Sequence, residues 1–299
     1  MTLMLVDAAG LYFRAFHGVP TTITAPDGRP VNAIRGFLDM TSTLITRRRP
    51  SRFVACLDFS WRPDFRVALV PSYKAHRVAP DGGEAVPAEL VAQVPVLFEV
   101  LDAVGLCRCG ADGFEADDVL GTLAAREPGP VDLVSGDRDL MCTVTNDVSM
   151  LYVGRGVAKL EVLRPADVLA RYGIPAPHYP DFAALRGDPS DGLPGVKGIG
   201  ERTAAALVDR FGTIESIVAA AEQDDAGFPS GARAKILAAR NYLPAAVAVV
   251  RVRTDVSLPV LEDALPIAVA DPAKLVGLSD EFGLSSPINR LLNALQIAV

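Results

Sequence analysis

Gly113-Phe114-Glu115-Ala116-Asp117-Asp118-Val119-Leu120 places three carboxylates within four residues, directly ahead of the apolar positions Val119, Leu120 and Leu123. Those apolar positions mark the buried stripe of a helix. Acidic residues are favoured in the first turn of a helix, where they meet the positive end of the macrodipole, and that accounts for one or two of them. Three together repel one another unless solvent or a bound cation relieves the repulsion. The stretch is thus either a solvated helix start or one wall of a metal site, and the rest of the chain has to decide.

Residues 3–6 form a short apolar run that ends at Asp7, and residues 53–57 form a second that ends at Asp58. Val131-Asp132-Leu133-Val134 is a third, followed by Ser135-Gly136-Asp137-Arg138-Asp139. Helical spacing fills the intervals at residues 32–46, 87–104 and 117–126. Strands alternating with helices imply a parallel sheet, and ligands of such sheets bind outside the carboxyl ends of the strands. Asp7, Asp58, Asp137 and Asp139 would all arrive at that edge. Any one of them alone reads as a turn or cap residue; that reading weakens when all must be turns at once, with Glu115, Asp117 and Asp118 entering a helix beside them.

Oxygen ligands unaccompanied by His or Cys suit Mg²⁺ or Mn²⁺ rather than zinc. A site so rich in carboxylate could hold two ions, clamping the attacking and leaving oxygens of a phosphoryl displacement. Cys56, Cys107, Cys109 and Cys142 form no CxxC pair and read as reduced structural thiols. The formal charge of −7 over 299 residues argues against a nucleic-acid partner only if its distribution is ignored. Without the acids of the candidate site the balance is about +2, which allows a basic surface around an acidic pit. Half the residues are hydrophobic, enough for a sizeable core. The start of the chain lacks the marks of a signal peptide and no run reaches membrane-span length, so a cytoplasmic protein without membrane contact is expected.

Residues 61–80 interleave Arg62, Arg66, Lys74, His76 and Arg77 with Phe65 and Tyr73. Such a segment can hold phosphates while bases stack, or it can be a solvated loop around one buried aromatic. Residues 150–153 and 159–162 flank Gly154-Arg155-Gly156 as a hairpin. Beyond residue 166 the chain reads as helical. There, Gly187-Asp188-Pro189-Ser190-Asp191-Gly192-Leu193-Pro194-Gly195-Val196-Lys197-Gly198-Ile199-Gly200 leads into a helix whose free N–H groups would face an anion. Its glycine spacing is neither a Rossmann fingerprint nor a Walker loop. It resembles the helix-hairpin-helix phosphate clamp.

Leu5-Val6-Asp7, Tyr73-Lys74-Ala75-His76-Arg77, Gly113 to Asp118, Ser135 to Leu140 and Gly187 to Gly200 stand in the order found in the flap endonuclease family. The sequence resembles in particular the 5′ nuclease domain at the start of bacterial DNA polymerase I and its free-standing relatives. That resemblance implies a PIN-like α/β fold with a mostly parallel central sheet and helices on both faces. A catalytic domain would cover residues 1–172, with a helical arch at about 62–95. A helical DNA-binding domain would cover residues 173–299, with the helix-hairpin-helix at about 185–211.

By the same resemblance, Asp7, Asp58, Glu115 and Asp117 surround a first metal ion. Asp137, Asp139 and Asp188 surround a second, and Asp118 and Asp191 are additional acids that act through water or serve a third ion. Lys74, Arg77 and Arg14 would polarise the scissile phosphate. Tyr73, Lys74, Arg77, Gly195, Val196, Lys197, Gly198, Ile199 and Gly200 would contact DNA, and the hairpin loop could also take K⁺. The implied activity is structure-specific 5′ nuclease action, as 5′-3′ exonuclease and flap endonuclease, during Okazaki fragment processing and repair. The implied partner is DNA with a 5′ flap, nick or 5′ end, or an RNA–DNA junction, met by a monomer at the nucleoid. Departures are few: Gly192 stands where the family usually has Asn, Ala8 where Gly is common, and Met141-Cys142 where a more polar pair is usual.

Two other classes fit the residues less well. A haloacid-dehalogenase-like phosphatase needs an Asp-x-Asp pair, whereas Asp7 is followed by Ala8 and Ala9. A non-catalytic DNA-binding module could lose acids freely, and none is lost. No polymerase motif occurs, so polymerisation is not expected.

Overall fold

The structure is a computed structural model that describes residues 1–297. Its six strands are β1 (Leu3–Asp7), β2 (Arg52–Cys56), β3 (Cys107–Cys109), β4 (Val131–Ser135), β5 (Val148–Tyr152) and β6 (Glu161–Leu163). They form one sheet in the order β3-β2-β1-β4-β5-β6. All neighbours pair in parallel except β6, which returns antiparallel to β5 with Leu151 opposite Val162. The three strands and the hairpin expected from the sequence are present. The strand missed is β3, whose three residues Cys-Arg-Cys are too short to show a period.

Alternation along β1 explains the layering. Leu3 and Leu5 point into one core, while Met4 and Val6 point into the other. The second face carries α1 (Ala8–Gly18), α2 (Asn32–Arg48) and, after the short α3 (Asp64–Leu69), α4 (Ala88–Val104). The first face carries α5 (Ala116–Arg126) and, beyond α6 (Pro165–Tyr172), a helical half. That half comprises α7 (Tyr179–Arg186), α8 (Glu201–Phe211), α9 (Ile214–Glu222), α10 (Ala232–Ala239) and α11 (Leu243–Val250).

The last helices, α12 (Pro272–Phe282) and α13 (Ser285–Leu295), were expected with the DNA-binding half but pack elsewhere. Leu275, Leu278, Phe282, Ile288 and Leu291 join the core of α2 and α4, because the intervening chain runs back along β2. There the Phe53 N–H donates to Asp263 O at 2.8 Å and the Leu265 N–H donates to Ser51 O at 3.2 Å.

The segment expected to be a helical arch is helical at its two ends, in α3 and in the first turns of α4, and largely irregular between them. After the six residues of α3 there is one 3₁₀ turn, Ala75–Arg77, and a loop whose Val78 and Glu84 pair as an isolated bridge. Pro71 and Pro80 lie in that stretch, each lacking the N–H that a continuing helix needs, while Pro63 and Pro87 precede the first residues of α3 and α4. Residues 70–87 form a strap between the two helices.

Candidate active site

The strand order reverses direction of growth between β1 and β4, and the crevice at such a switch point opens at the carboxyl edge of the sheet. Asp7 ends β1 there. Its carboxylate caps α1, accepting the Gly10 N–H at 2.7 Å, and takes the Ser135 hydroxyl from the end of β4 at 2.8 Å. A Cβ at position 10 would stand 2.3 Å from Asp7 Oδ2, so only glycine lets α1 begin so close to the acid. Ser135, which sequence reasoning did not single out, also accepts the Asp137 N–H at 3.0 Å and so ties two candidate acids to one hydroxyl. Beside them Asp58, just past β2, accepts the Ala116 N–H at 2.6 Å and anchors the start of α5.

A cavity of about 480 Å³ opens at this edge, lined by Asp7, Asp58, Glu115, Asp117 and Asp137 on the sheet side. Lys74, His76, Arg77 and Glu84 line it from the strap, and Phe13 from α1. Asp139 adjoins it, donating its N–H to Asp137 Oδ1 at 2.9 Å. Asp188 and Asp191 come from the loop after α7. Asp188 accepts Arg138 at 3.3 Å and Arg186 at 3.4 Å, and Asp191 accepts Arg77 at 3.1 Å. Acids from five separate places in the sequence therefore meet at one rim.

Burial and mutual repulsion mark these groups. Loss of solvent is the largest influence on Asp7, Asp117 and Asp139 and raises all three; neighbouring Asp137 raises each further. Asp58 is pushed up to about 7 by desolvation, with Glu115 and Asp7 adding to it. Asp191 is pushed up to about 6, again mainly by desolvation, against the pull of Lys74. Burial alone would lower the Lys74 pKa, but Glu115 and Asp191 beside it raise it above the ordinary lysine range. Its ammonium donates to Glu115 Oε1.

Among the described residues, no three His, Cys, Asp or Glu side chains are drawn close enough to enclose an ion directly. The donor set nevertheless suits a hard divalent cation. It is all oxygen, its repulsion is only partly met by Lys74, and Asp139 Oδ1 is buried with no hydrogen-bond partner.

Five expectations need correction. Asp118 is not on the cavity: fully buried, it is gripped by Arg66 Nη1 and Nη2 at 2.7 Å each and accepts the Arg253 N–H at 2.9 Å. Arg66, grouped with phosphate-binding cations, is 2 % exposed and spends its charge on Asp118 and Glu115. Tyr73, expected at DNA, is buried and donates its hydroxyl to Glu115 Oε2 at 2.7 Å. In the hairpin, Val196 and Ile199 are the buried apolar foot. Their N–H groups donate to Leu185 O and Val196 O, and that of Gly195 donates to the Tyr242 hydroxyl. Lys197, Gly198 and Gly200 remain exposed beside the start of α8, while Lys235 donates to Gly198 O at 2.9 Å. Arg14 lies against Gly136 rather than in the cavity lining.

A doubly covered, mostly parallel sheet with an acid rim and a second, helical half defines a class. Comparison names it. The family model for the 5′-3′ exonuclease N-terminal resolvase-like domain matches residues 2–173, and that for the 5′-3′ exonuclease C-terminal SAM fold matches residues 174–273. The chain belongs to the 5′-3′ exonuclease family. It is 53% identical to a 5′-3′ exonuclease of Mycobacterium tuberculosis, covering 98% of this chain and 97% of that protein. A 5′-3′ exonuclease of Streptomyces coelicolor is 50% identical, with 98% and 99% covered. DNA polymerase I of Mycobacterium bovis is 41% identical over 73% of this chain but only 24% of the polymerase. Among solved structures, T5 5′-exonuclease with bound zinc superposes with a TM-score of 0.66 at 18% identity, covering all of both chains. The catalytic core of Rad2 in complex with DNA substrate superposes with a TM-score of 0.57 at 16% identity, covering 98% of this chain and 90% of that one.

Proposed function

We propose that this protein hydrolyses DNA phosphodiesters at 5′ ends and at the junction of a 5′ flap with duplex, using divalent ions and leaving a 5′-phosphate. The observation that carries the reading is the convergence of Asp7, Asp58, Glu115, Asp117 and Asp137 on one cavity that Lys74 and Arg77 also line. Asp7, Asp58, Glu115 and Asp117 would hold one Mg²⁺ or Mn²⁺, and Asp137, Asp139 and Asp188 a second, with Asp191 at hand for a third. When bound, such ions lower the pKa of water and stabilise charge on the attacking and leaving oxygens.

The remaining work falls to the chain itself. Lys74 and Arg77 present positive charge to the phosphate as negative charge builds on it. Phe13 offers an apolar face beside Asp7 that excludes water from one side of the cavity. The exposed Lys197 and the free first-turn N–H groups of α8 would hold a backbone phosphate of the duplex, at a distance from the cut set by the loop that carries Asp188 and Asp191. A K⁺ at the hairpin carbonyls would have to displace Lys235 from Gly198 O.

An aspartyl-phosphate route is less well supported, since Asp7 is held by Gly10 and Ser135 rather than poised as a nucleophile. Okazaki fragment processing and repair, by a monomer at the nucleoid, are the settings where 5′ flaps arise. Among the described residues no helix is long and apolar enough to cross a membrane. The test is a 5′-labelled flap substrate incubated with Mg²⁺ or Mn²⁺. Cleavage at the junction supports the reading, and an intact substrate under both ions refutes it.

A further inference from the structure

Glu115 is held from behind as well as facing the cavity. Its Oε2 accepts Arg66 Nη1 at 2.6 Å and the Tyr73 hydroxyl at 2.7 Å, so that oxygen has both its lone pairs engaged. Only Oε1 is left toward the cavity, where Lys74 meets it. Arg66 itself has no freedom. Nη1 and Nη2 fork across Asp118, and Nε donates to Val249 O of α11 at 2.9 Å. Asp118 is fixed in turn by the Arg253 N–H and by the Glu115 N–H at 3.3 Å. One guanidinium thus joins the strap, the start of α5 and the end of α11 around a single carboxylate.

We propose that Arg66 is a positioning residue for Glu115, with Asp118 as its counter-ion: together they fix the carboxylate so that one oxygen alone is offered to a divalent ion. This rests on the reading that such an ion binds at Glu115. Arg66 touches neither substrate nor ion, and it acts through the orientation of its neighbour. Groups that orient a ligand from behind are commonly needed for tight binding, and their loss costs about 10-fold to 100-fold in metal affinity or activity. A lysine cannot replace the fork, because its single ammonium cannot span two carboxylates in a plane.

The experiment is Mn²⁺ titration calorimetry on the full chain without DNA, with circular dichroism to confirm folding of each variant. Arg66→Lys is expected to weaken Mn²⁺ binding about 10-fold or more. In a Glu115→Gln background the same substitution should change affinity no further, because the ligand it orients is already gone. Should Arg66→Lys fail to fold, Arg66→Met with Asp118→Leu removes both buried charges together and is expected to show the same loss. A folded Arg66 variant that binds Mn²⁺ as the wild type does would overturn the inference, marking the ion pair as a staple between elements. Wild-type protein that takes up no Mn²⁺ would instead sink the underlying reading of the site.

Discussion

A Cβ on Gly192 would stand 2.2 Å from the carbonyl oxygen of Ser72, so the strap rests on the loop after α7 only because position 192 has no side chain. The residue is also left-handed, with φ at +71°. Around this contact the Lys74 N–H donates to Asp191 O at 2.9 Å, and the Ser72 hydroxyl donates to Gly192 O at 2.8 Å. Arg77 donates to Ser190 O at 2.7 Å. The two cations that face the acids are thereby pinned to the loop that carries Asp188 and Asp191.

Gly192→Asn tests that latch. Asn tolerates the left-handed backbone, so the substitution acts mainly by its Cβ, which must push the strap away. Misplacing catalytic groups by about 1 Å can cost on the order of 100-fold. Single-turnover cleavage should fall by about 10-fold to 100-fold, and limited proteolysis should find residues 76–86 more readily cut. Unchanged rates and protection would mean the strap is set by other contacts.

Asp137→Ala and Asp188→Ala should abolish cleavage while leaving DNA affinity intact or tighter, since each removes negative charge from beside the phosphate. Gel-shift and single-turnover measurements on the same preparations check both halves. Lys74→Ala should depress single-turnover cleavage more than binding, as expected of a group that acts mainly in the transition state.

Stability of the metal-free protein should fall as pH rises from about 4 to about 7. Asp58 and Asp191 have folded-state pKa values of about 7 and about 6, above the ordinary carboxylate value. Between the unfolded and folded values the native state therefore binds more protons than the unfolded chain, and raising the pH disfavours it. Below that window both states are protonated and the effect vanishes. Thermal melts in chelator across this range measure it, and added Mg²⁺ should restore most stability at the alkaline end. A melting temperature that rises with pH in chelator would contradict the site's crowding.

Lys197→Ala should weaken DNA binding and reduce the slope of log affinity against log salt by about 1. An equal loss at every salt concentration would remove Lys197 from the phosphate contacts.

Much of this arrangement was legible in the sequence because it is local. Apolar runs that end in Asp located β1, β2 and β4, and helical spacing located α2, α4 and α5 within about two residues. The convergence of Asp7, Asp58, Asp137 and Asp139 followed from strand polarity, whereas Asp188 and Asp191 were placed with them only by family likeness. Side-chain direction was not legible. Asp117 and Asp118 are adjacent on α5, yet one faces the cavity and the other is buried against Arg66, a difference set by tertiary packing. The same holds for Tyr73 and Arg66, whose interleaving with Lys74 mimics a nucleic-acid contact while they serve Glu115 from within. The strap at residues 70–87 is not helix, and Pro71 and Pro80 within it each lack the N–H that a continuing helix needs. The return of α12 to α4 and of α13 to α2 depends on contacts more than 160 residues apart in the chain, which no periodicity encodes.

The claim on which the account turns is that acids from distant segments hold divalent ions at one rim. Diffraction from crystals soaked in Mn²⁺, with anomalous difference maps, tests it most directly. Peaks are expected within ligand distance of Asp7, Glu115 or Asp117 and of Asp137, Asp139 or Asp188. Saturating Mn²⁺ with no peak in this cavity, or with peaks only on other faces, would contradict it.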